Sequence, residues 1–255
     1  MIDAHIHLEQ YDRISDQIER WRMGGVKSVI AVSNNLASSY RTLELKEKYP
    51  DFVFACVGFH PEYELPKVKE LEEWKSLIRL ERKRITGIGE IGLPHYQLDK
   101  LSNSLPDYIQ FLAECFEVAN EHKLPVALHA VHDKAGLVLQ LLKTYKINKA
   151  HFHWLKAPAD VLQAIVESGY YLTVTPEVCY RERDQQLLMQ VPLSQLLIET
   201  DGPWEYHHPM FKQERTTPLF LEEMVQTIAR LKRINTTELE KQLTRNTLNC
   251  YVGKA

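Results

Sequence analysis

The chain has 255 residues, 44% of them hydrophobic and 25% charged, and 31 Lys and Arg stand against 34 Asp and Glu for a net charge of −3. A chain of this length buries a full core, and its balanced charge excludes a strong overall field drawing it to nucleic acid or an anionic membrane. No apolar run approaches the roughly 18 residues that a membrane span needs, and a secretory signal is not expected because no basic start leads into a long apolar core.

The first run, 1–8, alternates: Ile2, Ala4, Ile6 and Leu8 fall on one face of a strand, and Asp3, His5 and His7 on the other. Further β-rich runs are predicted near 26–32, 52–59, 86–93, 125–131, 149–154, 170–175 and 196–201. Amphipathic segments separate them. The first, 14–23, stops at Gly24-Gly25. Segments 38–48, 68–84, 105–122, 133–145, 157–168, 181–190 and 218–233 follow, and a last helix covers 237–250. Strand–helix alternation predicts a parallel sheet, and eight repeats in about 250 residues are the size of a closed barrel. The fold class is therefore α/β, a single (β/α)8 TIM barrel forming one domain over 1–255, with its active site at the C-terminal ends of the strands. An open doubly wound sheet is the alternative. The barrel is favoured because the candidate ligands come from widely separated strands, whose ends it gathers at one mouth. Cys56, Cys115, Cys179 and Cys250 are scattered and read as reduced thiols of a cytoplasmic protein.

Ionisable residues collect at those strand ends. Two imidazoles two residues apart on one strand face, His5 and His7, can reach one ion. Glu90 interrupts the glycine-rich run Gly87-Ile88-Gly89-Glu90-Ile91-Gly92-Leu93, His129 and His153 end the fifth and sixth strands, and Asp201 ends the eighth. Each residue has an ordinary reading as a hydrogen-bonded histidine, an ion-paired glutamate or a helix cap. Six such groups at one mouth are costly to bury without a cation. A structural zinc site needs four ligands, often thiolates, and no cysteine belongs to this set. Six nitrogen and oxygen donors suit two divalent cations sharing a bridge, and Glu90, with two oxygens, is the natural bridge. Imidazole-rich ligation favours zinc, manganese, iron or cobalt over a pure magnesium site.

These motifs resemble the TatD-like metal-dependent hydrolases of the amidohydrolase superfamily. The resemblance rests on Asp3-Ala4-His5-Ile6-His7-Leu8, Val57-Gly58-Phe59-His60-Pro61, the glycine-flanked Glu90 run, Leu128-His129, Phe152-His153-Trp154 and Glu199-Thr200-Asp201-Gly202-Pro203, with Arg245-Asn246-Thr247 and Tyr251 closing the chain. It implies that His5, His7 and Asp201 hold one metal, and that Glu90 bridges to a second completed by His129 and His153. Asp201 would also orient or deprotonate the attacking water, His60 would line the cleft and Arg215 would approach an anionic group. Strands four and five carry no lysine that could serve as a carboxylated bridge. Three departures surround the ligands: Pro94-His95 stands where the family commonly has an aspartate, Ala130-Val131-His132-Asp133 replaces a serine and an arginine, and Thr216-Thr217-Pro218 replaces Asn-Glu-Pro.

The implied activity is phosphodiester hydrolysis, on short or single-stranded DNA ends and from the 3′ side, with two cations (zinc, manganese or magnesium). The partner is then a phosphoester substrate such as a DNA end, with no membrane and no obligate protein partner. Lys134, Lys156, Arg181, Arg183, Lys212 and Arg215 are cations on the right end for a strand, and Trp154, Tyr180, Trp204 and Tyr206 are stacking candidates. Their ordinary reading is a solvated rim with aromatics packing the loops. The acidic stretch Glu62-Tyr63-Glu64 argues against a long nucleic-acid footprint. Glu199 is a candidate to orient a ligand histidine, His95 and His132 are candidates for roles around the ligands, and His207-His208 reads as an exposed loop pair. Hydrolysis of a non-phosphate ester, lactone or amide, or a metal-binding scaffold without catalysis, are the alternatives.

Overall fold

The computed structural model describes residues 1–211 and 215–253. Eight parallel strands run β1 Ile2–Ile6, β2 Ser28–Ala31, β3 Val53–Val57, β4 Ile85–Gly92, β5 Val126–His129, β6 Ala150–Phe152, β7 Tyr171–Val174 and β8 Leu196–Ile198, each paired with the next in sequence. The ring closes beyond the ends of β1 and β8. His7 N–H donates to the Gly202 carbonyl at 2.8 Å, and Asp201 N–H to the His5 carbonyl at 3.1 Å. This closure is the (β/α)8 barrel rather than the open sheet.

Helices cover the outside: α1 Ile14–Met23, α2 Leu36–Lys48, α3 Val68–Leu80, α4 Leu105–His122, α5 Lys134–Thr144, α6 Ala159–Glu167, α7 Glu182–Gln190, α8 Leu221–Lys232 and α9 Thr236–Tyr251. Helix α2 begins two residues before the predicted start because Asn35 caps it. The Asn35 side chain accepts the Ser38 N–H at 2.9 Å, and the Ser38 hydroxyl accepts the Asn35 N–H at 2.9 Å. Arg82 and Arg84 lie beyond α3, which ends at Leu80, and the segment at 218–220 is a 3-10 turn leading into α8. Trp21, Trp74, Tyr108, Phe52, Phe116 and Phe152 are wholly buried between sheet and helices. Helix α9 is pinned by Asn246, whose amide donates to the carbonyls of Leu193 at 2.7 Å and Leu196 at 2.8 Å. Among the described residues no helix is long and apolar enough to cross a membrane, and the four cysteines are free.

Strands β5 to β8 have three or four residues each, shorter than their predicted runs. The overshoot has a physical reason. His153 and Asp201 lie just past the hydrogen-bonded ladder, where backbone can turn toward the mouth. Asp201 (φ 49°) and Trp154 (φ 37°) are left-handed there. Such conformations cost about 1–3 kcal/mol each and persist when surrounding bonds over-determine them. The Trp154 N–H donates to Glu199 Oε1 at 2.7 Å and to Thr173 Oγ1 at 3.0 Å, and Asp201 is held by the closure bond to His5.

Strand β4 carries its glycines for close approach. A Cβ on Gly92 (φ 159°) would meet the His129 carbonyl oxygen at 1.9 Å, an overlap that only backbone movement relieves. Gly92→Ala is expected to destabilise the barrel by about 1–3 kcal/mol, as overpacking does. A fall in the denaturant midpoint checks this, and an unchanged midpoint would show that the two strands do not press together here.

Candidate metal centre

Glu90 stands fully buried at the centre of the mouth, with a different set of imidazoles at each carboxylate oxygen. Oε2 lies 3.1 Å from His5 Nε2 and 3.4 Å from His7 Nε2. Oε1 lies 2.9 Å from His153 Nε2, 3.1 Å from His129 Nδ1 and 3.3 Å from His60 Nε2. Asp201 Oδ1 sits on the first side, 3.6 Å from His5 Nε2 and 3.5 Å from His7 Nε2. On the second side, His129 Nδ1 and His153 Nε2 are 3.2 Å apart. The sequence-predicted ligands His5, His7, Glu90, His129, His153 and Asp201 are thus brought together, with His60 among them.

The electrostatics follow from this crowding. Burial opposes ionisation of Glu90, but the facing imidazoles of His60, His153 and His5 outweigh it and hold the carboxyl well below its ordinary range. Burial likewise opposes a charged Asp201, and His7 with its neighbours keeps that carboxyl low. Burial also works against a charged His7, yet the Asp201 and Glu90 carboxylates beside it raise it to about 10. His153 rises well above its ordinary value against burial, chiefly through Glu90 and Glu199. Two buried carboxylates are therefore held ionised, and their charge is what draws protons onto the facing imidazoles His7 and His153.

Unpaired donors mark where a cation can sit. Asp201 Oδ1 is buried without a hydrogen-bond partner, and 3.5–3.6 Å to the nearest imidazole nitrogens is too long for good bonds. Within His5–His7–Glu90 and within His60–Glu90–His129, one donor atom per residue lies within 4.8 Å of the others. The nitrogen and oxygen donor set fits divalent cations of the imidazole-binding kind.

Hydrogen bonds separate the roles of the two neighbouring rings on the second side. His60 Nδ1 accepts the Glu62 N–H at 3.1 Å, so its neutral ring carries the proton on Nε2. Burial, helped by the adjacent histidines, lowers the His60 pKa to about 3, which leaves a neutral donor aimed at Glu90. His153 has Nδ1 3.4 Å from Glu199 Oε1 and presents Nε2 to Glu90. Its strand neighbour His151 is engaged deeper in the barrel, between Tyr251 Oη at 2.7 Å and Thr173 Oγ1 at 3.0 Å.

Two residues that hold the site had no role assigned from sequence. Asp3 accepts from Thr200 N at 3.0 Å and Thr200 Oγ1 at 2.5 Å, which anchors the turn carrying Asp201. Its place on the ligand face of β1 was the signal available. Glu62, within a stretch read as acidic surface, is instead tied to His129 Nε2 at 3.1 Å. Burial opposes its ionisation, but bonds from His129, His95 and Tyr96 lower the carboxyl to about 2.

The mouth opens into a cleft of about 1330 Å³. Trp154, Tyr180, Trp204 and Tyr206 all line it, as do Lys156 and Arg181. Tyr180 already stacks on half-buried His208, ring centres 4.1 Å apart, so His208 is not a free loop side chain. Trp204 is 58% exposed and lies edge-on to Trp154 at 5.6 Å. Arg181 and Arg183 are spent on Glu177, at 2.6 and 3.1 Å, and Lys134 pairs with Asp133. Arg215 does not line the cleft. Its guanidinium donates to the Gln10 carbonyl at 2.7 Å and lies over the Tyr11 ring. Lys212 lies outside the described residues. Lys156 lies in the cleft on an aromatic face, with Nζ 4.4 Å from the Trp154 ring centre. His95 pairs with Asp133 Oδ1 at 2.9 Å and packs on His132 at 4.6 Å, a cluster beside the ligands rather than part of them.

A (β/α)8 barrel whose mouth gathers histidines and carboxylates about a buried glutamate is the framework of a metal-dependent hydrolase. Residues 2–252 match the family described as TatD related DNase, and the chain belongs to that family. It is 33% identical over 254 residues to a Haemophilus influenzae protein named an uncharacterized metal-dependent hydrolase, covering 98% of this chain and 99% of the relative. It is 28% identical over 265 residues to the 3′-5′ ssDNA/RNA exonuclease TatD of Erwinia tasmaniensis, covering 96% of this chain and 97% of that one. The crystal structure of YJJV, a TatD homolog from Escherichia coli, has the same fold, with a TM-score of 0.88 at 22% identity over 99% of this chain and 98% of the other.

Proposed function

We propose that the protein hydrolyses phosphodiester bonds at the end of a short or single-stranded DNA, removing nucleotides from the 3′ side, with two divalent cations held about Glu90. The observation that carries this reading is the two-sided arrangement of Glu90, each oxygen facing its own imidazole set. His5, His7 and Asp201 would hold one cation and His129 and His153 the other. When bound, such cations polarise a phosphoryl oxygen and lower the pKa of water toward neutrality.

The chain's own groups do the remaining work. Asp201, kept ionised beside the cleft, accepts the proton of the attacking water. His60 lines the cleft and holds its Nε2–H toward Glu90 Oε1, 3.3 Å away. Lys156 attracts the substrate's anionic group in place of Arg215, which is tied to the β1 loop. Trp154 and exposed Trp204 present faces and edges on which an unpaired base can stack. Few cations remain unpaired around the cleft, which suits a strand end rather than a long duplex. The exonuclease name of the Erwinia relative agrees with this substrate class.

A 3′- or 5′-labelled single-stranded oligonucleotide, incubated with zinc, manganese or magnesium and with a chelator control, tests this reading. Cation-dependent shortening from the 3′ end is expected, with Lys156→Ala raising KM several-fold at nearly constant kcat. Turnover of a simple lactone without any phosphodiester cleavage would overturn it, as would cleavage that survives complete chelation.

A further inference from the structure

Glu62 makes an unusual set of contacts for a residue in an acidic loop. Its Oε1 accepts from His95 N at 2.7 Å and Tyr96 N at 3.0 Å, and its Oε2 from Gln97 N at 2.7 Å. The same Oε1 lies 3.1 Å from His129 Nε2. The carboxylate is largely covered, 10% exposed at its side chain. An ionised carboxylate only accepts hydrogen bonds, so the ring nitrogen that faces it carries a proton. His129 must then present Nδ1 as its lone-pair atom, and Nδ1 is the nitrogen that faces Glu90 and His153. The backbone N–H of Glu62 meanwhile bonds His60 Nδ1, which places the His60 proton on Nε2. The two imidazoles, ring centres 4.9 Å apart, are driven to the same Nε2–H tautomer by one residue, but they turn different atoms to Glu90, His129 its bare Nδ1 and His60 its Nε2–H.

The geometry points to Glu62 as a positioning residue that fixes His129 as an Nδ1 donor toward a cation and holds His60 as an Nε2–H donor toward Glu90. It does so from the loop after β3, while pinning the loop after β4 across the same mouth. This inference rests on the reading of His129 as a metal ligand. A carboxylate behind a ligating histidine fixes the ring and raises its basicity, and losing it typically costs 10–100-fold in metal affinity.

The test is zinc affinity measured by chelator competition on wild type, Glu62→Gln, His129→Ala and Gln97→Pro, with thermal unfolding recorded for each. Long-range ¹⁵N–¹H spectra of the zinc-loaded wild type accompany it. Glu62→Gln is expected to fold and to bind zinc about 10–100-fold more weakly. Gln97→Pro removes the N–H bonded to Oε2 and draws the Gln97 φ from −111° toward the proline value of about −65°; with the His129 bond intact it is expected to stay within about twofold of wild type. The spectra are expected to show His129 bound through Nδ1 with its proton on Nε2. Coordination through Nε2, or an equal loss in Gln97→Pro, would overturn the role of Glu62. If His129→Ala loses zinc while Glu62→Gln keeps it, only the Glu62 assignment falls. If His129→Ala binds zinc as wild type does, the ligand reading itself falls.

Discussion

Glu90→Gln is expected to release bound cations and abolish turnover while leaving the barrel folded. The substitution keeps the shape and removes the charge on which five imidazoles converge, at 2.9 to 3.4 Å. Losing an outer partner of a ligand histidine already costs about 10–100-fold in metal affinity, and Glu90 faces both halves of the site at once, so the loss should be larger. Chelator competition with zinc reads the affinity, and far-UV dichroism reads the fold. Wild-type affinity in this variant would mean that the imidazoles hold cations without the central carboxylate.

Asp201→Asn should act differently. Asparagine retains an oxygen near His5 and His7 but cannot take up the proton of water. General-base catalysis contributes about 10²–10⁴-fold, so kcat at saturating cation should fall by about that factor, with the unfolding midpoint little changed. Measuring kcat at several cation concentrations separates proton transfer from weakened ligation. An unchanged kcat would remove Asp201 from the chemistry and leave it a ligand at most.

Much of this was legible in the chain itself. The alternation of strand and helix predicts a parallel sheet of eight units, and candidate ligands on widely separated strands favour its closure into a barrel with those strand ends at one mouth. The predicted ligands stand out because imidazoles and carboxylates at the ends of otherwise apolar strands are costly without a cation. The predicted strands run past the observed ends because His153 and Asp201 continue the strand pattern, each N–H still bonding a neighbouring strand at Leu128 and His5, beyond the last ladder pairs.

What stayed hidden depends on contacts between loops. Glu62 reads as surface charge in one dimension, because the N–H groups that use it come from residues 95–97 on another loop. Arg215 follows β8 and was expected at the cleft, but its guanidinium is taken by the Gln10 carbonyl, a pairing with no local pattern. The rim cations looked equivalent in sequence, yet Arg181 and Arg183 are neutralised by Glu177 while Lys156 lies along Trp154.

The central claim is that one buried glutamate faces two cations, one at each oxygen. Anomalous diffraction from crystals grown with manganese or zinc tests it most directly. Two peaks are expected on opposite sides of the Glu90 carboxylate, one among His5, His7 and Asp201 and the other between His129 and His153. A single peak touching one Glu90 oxygen, or peaks elsewhere in the cleft, would contradict it.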